Sequence, residues 1–224
     1  MKQEVDKAEW PVCTIVPGVG KRVRSTDFLQ EVVADWFATD CLTIASAIAN
    51  LAVRPVPDLV IVMLDERPRD HLLLARQIRA LPGPIGTVPV LAYATADLDE
   101  TVLRDNGIDA VLPTRCSFAE IADTVAGWSP AGWLDGITRL AAAFGAAEIA
   151  PIVAAFHTQI GEAVAELDHC TNRTTAHQIA GIAGTLGFHR LGQSWLAVSE
   201  GDETMRDSAR RDARVALHAL NRPR

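Results

Sequence analysis

The chain is short of positive charge, of closely spaced cysteines and of long apolar runs, and each shortage removes a class of function. Its 224 residues carry 21 lysines and arginines against 28 aspartates and glutamates, a net charge of -7. General nucleic-acid binders draw most of their affinity from excess lysine and arginine at phosphates, so nucleic acid is not an expected partner. The one locally basic stretch, Arg206 to Arg224, is interrupted by Asp207 and Asp212 and reads as a solvated helix face. Cys13, Cys41, Cys116 and Cys170 lie far apart and form no Cys-x-x-Cys pair. They read as reduced thiols rather than as a zinc site or a disulfide framework. The longest apolar run, Leu59 to Leu64, falls far short of the roughly 20 residues that a membrane-spanning helix needs. No long apolar stretch follows Met1 to Asp6, so a cytoplasmic location without a membrane partner is expected.

Several catalytic signatures are also missing. Gly18-Val19-Gly20-Lys21-Arg22 fails the phosphate-binding-loop pattern, because Ile15 stands at the first glycine position and Arg22 at the hydroxyl position. There is no Gly-x-Ser-x-Gly elbow and no His-Glu-x-x-His metal motif. A metabolic α/β enzyme would need a convergent catalytic set, and none is visible; no cofactor and no metal are expected on this chain. His71, His157, His169, His189 and His218 are scattered and read as surface or cap residues.

What is present is a chain long enough for two domains, with 49% hydrophobic and 22% charged residues, sufficient for a sizeable core. In the first half, Val12 to Val16, Leu42 to Ile44, Leu59 to Leu64, Val88 to Tyr93 and Ala110 to Leu112 read as buried strands. Helical patterns lie between them at Asp27 to Trp36, His71 to Leu81, Asp99 to Asn106 and Phe118 to Trp128. Such alternation predicts a parallel sheet covered on both faces. The turn residues of Gly127-Trp128-Ser129-Pro130-Ala131-Gly132 mark a boundary between domains at 1–128 and 132–224. Beyond it, Leu134 to Phe144, Ile149 to Leu167, the segment around His177, Leu191 to Val198 and Ala209 to Leu220 have helical spacing and predict an all-α bundle.

The segment around His177 carries the most chemistry. Ala176, Ile179, Ala183 and Leu186 recur at spacings of three and four, one buried stripe of a helix. His177 falls off that stripe, with Arg173, Thr174, Ala180 and Gly181 as its helix-surface neighbours and Gly184 a turn further. A helical glycine costs about 1 kcal/mol relative to alanine, so Gly181 and Gly184 imply a compensating use. Two uses are open: tight packing between helices, or clearance for a partner's backbone beside the histidine. A neutral imidazole is a nucleophile, and with clearance beside it the chemistry suggested is transfer through a covalent phosphohistidine.

The string Ala176-His177-Gln178-Ile179-Ala180-Gly181-Ile182-Ala183-Gly184-Thr185-Leu186-Gly187 resembles the signature of histidine phosphotransfer (HPt) domains, roughly Ala-His-x-Leu-Lys-Gly-x-Ala/Ser-x-x-Leu-Gly. Gly187-Phe188-His189-Arg190-Leu191-Gly192-Gln193-Ser194-Trp195-Leu196 is similar to that family's next turn and helix. The resemblance covers about 132–224 and implies an antiparallel four-helix bundle. It makes His177 the phosphoryl-accepting residue and Gly181 the clearance residue, with Arg173, Gln178, Ala180 and Gly184 as neighbours of the phosphoryl site. Where the family has a lysine three residues after the histidine, this chain has Ala180. Arg173, one turn earlier, is the cation within helical reach that could take over.

The first half, over about 10–128, resembles the flavodoxin-like, doubly wound receiver domains of response regulators. The phrases that carry this likeness are Pro57-Asp58-Leu59-Val60-Ile61-Val62, Thr87-Val88-Pro89-Val90-Leu91-Ala92 and Asn106-Gly107-Ile108-Asp109-Ala110-Val111-Leu112. The family's functional positions are emptied. Pro17-Gly18-Val19 stands where acidic magnesium ligands belong, Met63 at the phosphoaccepting aspartate, Ala94 at the hydroxyl and Pro113-Thr114 near the lysine. Phosphoryl transfer to a carboxylate needs a metal and a cation, so a degenerate receiver is expected here. The pair Asp65-Glu66, two residues past Met63, is the rival acceptor and reads as solvated loop.

Together the two resemblances imply a phosphorelay intermediate of two-component signal transduction. His177 would take a phosphoryl group from the receiver aspartate of a hybrid histidine kinase and pass it to a response regulator's receiver, those partners supplying the magnesium. The chain would be a carrier more than an enzyme. Its receiver-like half would serve as a docking surface or join two copies in a homodimer. The alternative is a noncatalytic adaptor that binds a kinase or regulator without transferring phosphate, a reading that Ala180 and the emptied receiver positions favour.

Overall fold

A computed structural model describes residues 12–17, 36–41, 47–49, 51, 56–64, 68–94, 99–112, 118–167 and 172–221. The chain divides into two compact units, Met1–Ser129 and Pro130–Arg224. The first is α/β and the second is helical.

The first unit is built on strands β1 (Val12–Pro17), β2 (Trp36–Cys41), β3 (Leu59–Leu64), β4 (Val90–Ala94) and β5 (Ala110–Leu112). All paired strands run parallel, in the order β2-β1-β3-β4-β5. Leu59 to Val62 and Val90 to Ala92 have no solvent exposure, so the middle of the sheet is buried on both faces. Continuous Val/Ile/Leu runs are what such strands require. Helices α1 (Pro68–Arg79), α2 (Pro84–Thr87), α3 (Glu100–Asp105) and α4 (Phe118–Ala126) alternate with the later strands. Leu74, Ala75, Ile78, Leu103 and Ile108 share a core with β3 and β4.

The second strand differs from the sequence expectation. It is Trp36–Cys41, pairing Val12 with Trp36 and Pro17 with Cys41, whereas the segment Leu42 to Ile44 lies outside the described residues. Trp36, expected to close a helix, opens a strand instead. The aromatic pair Trp36-Phe37 and Thr39 suit a strand better than the helical spacing had suggested.

Arg79 ties three elements of this unit together. Its guanidinium donates to the backbone oxygens of Gly107, Gly86 and Val88 and pairs with the Asp109 carboxylate. Asp109 Oδ2 also accepts the Val90 amide at 2.8 Å, which fixes the start of β4 against the turn before β5.

The second unit contains α5 (Asp135–Phe144), α6 (Ala146–Glu166), α7 (Arg173–Leu186), α8 (His189–Glu200), a 3-10 turn (Glu203–Met205) and α9 (Arg206–Asn221). α6 packs on α7 and α9, and α8 packs on α7 and α9, so these four close a ring around a shared core. Ile160, Ala176, Ile179, Ala183, Leu191, Trp195, Ala213 and Ala216 are buried in this unit. Trp195 donates its indole N–H to the Ala209 oxygen at 3.0 Å, joining α8 to α9.

Two expectations for the C-terminal stretch are corrected. α9 is not simply a solvated face: Arg210 and Asp212 are buried, Arg210 paired with Asp207, and Asp212 with Arg190 and Arg211. His218 is wholly buried rather than at the surface. The alanines and valine between the charges, Ala209, Ala213, Val215, Ala216 and Ala219, draw this helix inward. His169 lies outside the described residues, and His157 is half-buried.

Candidate functional site

The site is built on the hairpin of α7 and α8. Asn172 opens α7, its side-chain oxygen accepting the Thr174 amide at 2.9 Å and the Thr175 amide at 3.4 Å. The helix ends at Gly187, whose φ of 86° places it in the left-handed region that glycine adopts without strain. The next amide, Phe188, reaches back to the Ala183 oxygen at 2.8 Å. A connection of two residues, Gly187 and Phe188, then suffices to start α8.

Phe188 anchors that connection, with its ring 5.7 Å from Phe156 and 6.0 Å from Trp133. Arg190 lies over the Trp133 ring at 5.6 Å and pairs with Asp212 at 3.2 Å. The turn is thus held by apolar contact from below and by a cation from the side. α8 returns antiparallel along α7: Gly192 sits against Ala180, Ala183 and Gly184, and Gly201 against Arg173.

His177 stands exposed on α7, on the face opposite the buried Ala176, Ile179, Ala183 and Leu186. It lines a shallow depression of about 300 Å³ along the α7–α8 seam, together with Ala180, Gly181, Gly184, His189, Gly192, Gln193 and Leu196. His177, His189 and Gln193 are exposed. Among the described residues their side chains engage no hydrogen-bond or ionic partner. An imidazole in this setting keeps its nitrogen lone pair free to attack an electrophile.

The two open uses of glycine separate by position. A Cβ at Gly181 or Gly184 would meet nothing within 4 Å, so neither serves helix packing. At Gly192 a Cβ would come within 3.3 Å of the Ala180 oxygen, so this glycine permits the close approach of α8. Gly136 is tighter still: a Cβ there would lie 2.3 Å from the Leu186 oxygen, where α5 crosses the end of α7.

The other residues singled out in the sequence are placed as follows. Gln178 is exposed beside His177 and does not line the depression; Ala180 is buried on its floor. Arg173 is exposed, but its guanidinium lies over Gly201, at the end of α8, rather than in the depression. A cation there complements the carbonyl end of the helix. His189, expected as a surface or cap residue, is indeed exposed at the start of α8, but no site role was expected for it or for Gly192, Gln193 and Leu196. The signal that could have found them is the two-residue connection, which folds the start of α8 back beside Gly184.

Searches against protein-family models and against curated proteins find no match for this chain.

In the first unit, Met63 and Ala94 lie on adjacent strands, Met63 paired with Tyr93 and Leu64 with Ala94. Gly18-Val19, Asp65-Glu66 and Pro113-Thr114 lie outside the described residues.

Proposed function

We propose that the chain is a phosphorelay carrier whose second unit is an HPt-type four-helix bundle and whose first unit is a flavodoxin-like degenerate receiver. The observation that carries this reading is the exposed, unpartnered His177 beside the unobstructed Gly181, on a helix whose opposite face is fully buried. The strand order β2-β1-β3-β4-β5, which is the order of flavodoxin-like folds, supports the reading of the first unit. A cytoplasmic location belongs to the same proposal.

The chemistry asked of this chain is small. A ring nitrogen of His177 uses its lone pair to form a bond to the phosphorus of an aspartyl phosphate on a partner receiver. The bond between phosphorus and the aspartate oxygen breaks, its electron pair returning to the carboxylate, and the ring N–H proton is released to solvent. Delivery to a second receiver reverses these events with a new aspartate. Magnesium and lysine on the partner offset the charge on the transferring group. This chain holds the nucleophile still, through the α7 cap and the Phe188 anchor, and leaves the approach open.

The test uses purified full chain and His177→Ala with radiolabelled, phosphorylated receiver domains of hybrid histidine kinases from the same organism. The expected result is label on the chain that survives base, is lost in acid and is absent from His177→Ala. Binding of those receivers with no label on the chain would instead establish the adaptor. The first unit is proposed to dock partners or to join two copies, its own phosphorylation positions being filled by Met63 and Ala94.

A further inference from the structure

The depression at His177 is one-sided. It extends from His177 toward the α7–α8 turn, over Ala180, Gly181 and Gly184, and reaches His189 at the first position of α8. It does not extend to the opposite end of the seam, where Arg173 covers Gly201. Along α7 the lining runs from His177 to Gly184, about two turns of helix or roughly 11 Å at 1.5 Å per residue. His189 stands at the turn end of the same depression, and its exposed, unpartnered ring faces whatever covers that end.

The charge of this seam differs from that of the chain. α7 and α8 together carry one carboxylate, Glu200, the last residue of α8, beside the Arg173 end. None of the residues lining the depression is acidic, although the chain has 28 acidic residues against 21 basic ones. A surface that bears clustered carboxylates and an acyl phosphate would be repelled by most of this protein and tolerated here.

We infer that His189 is a specificity-determining residue for the proposed transfer. A partner's acidic phosphorylation loop lies along the α7–α8 seam on the turn side of His177, passes over Gly184 and ends at the His189 ring. Ala180 and Gly184 keep the floor low, so the partner's backbone can descend until its phosphorus reaches His177. The inference rests on the carrier reading and adds the direction of docking and the chemistry that selects the partner.

The experiment measures label transfer from phosphorylated receiver domains to the full chain as a function of receiver concentration, for wild type, His189→Glu, His189→Gln, Gly184→Leu, Gly161→Leu and His177→Ala. Glutamate at the first position of α8 suits the helix dipole, and a Cβ at the exposed Gly184 meets no atom within 4 Å, so neither substitution starts against a packed neighbour; thermal unfolding of each variant checks that the fold is kept. His189→Glu and Gly184→Leu are expected to raise the half-saturating receiver concentration about tenfold, leaving the saturated rate near wild type, with His189→Gln between. Gly161→Leu, at an equally unobstructed exposed glycine of α6, should match wild type. Wild-type concentration dependence in both His189→Glu and Gly184→Leu, with transfer still abolished by His177→Ala, would overturn the docking direction and leave the carrier reading intact. Absence of label in every chain, wild type included, would overturn both.

Discussion

At Arg79 one side chain does the work of several loops, since it holds the Gly86, Val88 and Gly107 carbonyls and the nearly covered carboxylate of Asp109 together. Removing it takes the cation from the Asp109 side chain, which is 3% exposed, and a donor from three part-buried carbonyls. Arg79→Ala should cost about 3 kcal/mol, read as a lower urea midpoint for the first unit, and an unchanged midpoint would contradict the clamp. Nothing in the sequence pattern singled out this arginine, because its partners are backbone oxygens brought near only by the fold. Arg173 is the opposite case. Helical spacing put it one turn from His177, but the structure commits its guanidinium to Gly201, a neighbour invisible without the hairpin. Arg173→Ala is accordingly expected to leave transfer from a phosphorylated receiver unchanged.

Glycines in the α5, α7 and α8 elements divide into two kinds with opposite mutational signs. Gly136→Ala pushes a methyl into the Leu186 backbone and should destabilise the second unit by about 2 kcal/mol through overpacking. Gly184→Ala meets open space and should stabilise α7 by about 1 kcal/mol. Thermal unfolding of both variants checks the pair, and loss of stability in Gly184→Ala would show that α7 is packed more tightly there than described. The period of Ala176, Ile179, Ala183 and Leu186 made the buried face of α7 legible in advance, and His177 with it. His189 was not legible, because its place beside the His177 depression depends on where α8 begins rather than on any local pattern. α9 misled for a related reason. Its many charges suggested solvent, while a bundle can bury Arg210 and Asp212 provided that they are paired.

The whole chain joins an α/β unit to a helical one at Ser129–Pro130, inside the turn-rich stretch Gly127 to Gly132 that the sequence marks. If the first unit docks partners or joins copies, deleting residues 1–128 should change the mass seen by light scattering or the set of receivers that donate label. A truncated chain unaltered in both respects would remove that role. Whether this protein carries phosphoryl groups between receivers is decided by one pulse-chase assay. The full chain is labelled from a phosphorylated hybrid-kinase receiver, separated, and mixed with unlabelled response-regulator receivers and magnesium. Acid-labile label is expected to leave His177 and to reappear on a regulator. Label that never enters the chain, or that remains on it in the presence of every regulator, would contradict the carrier role.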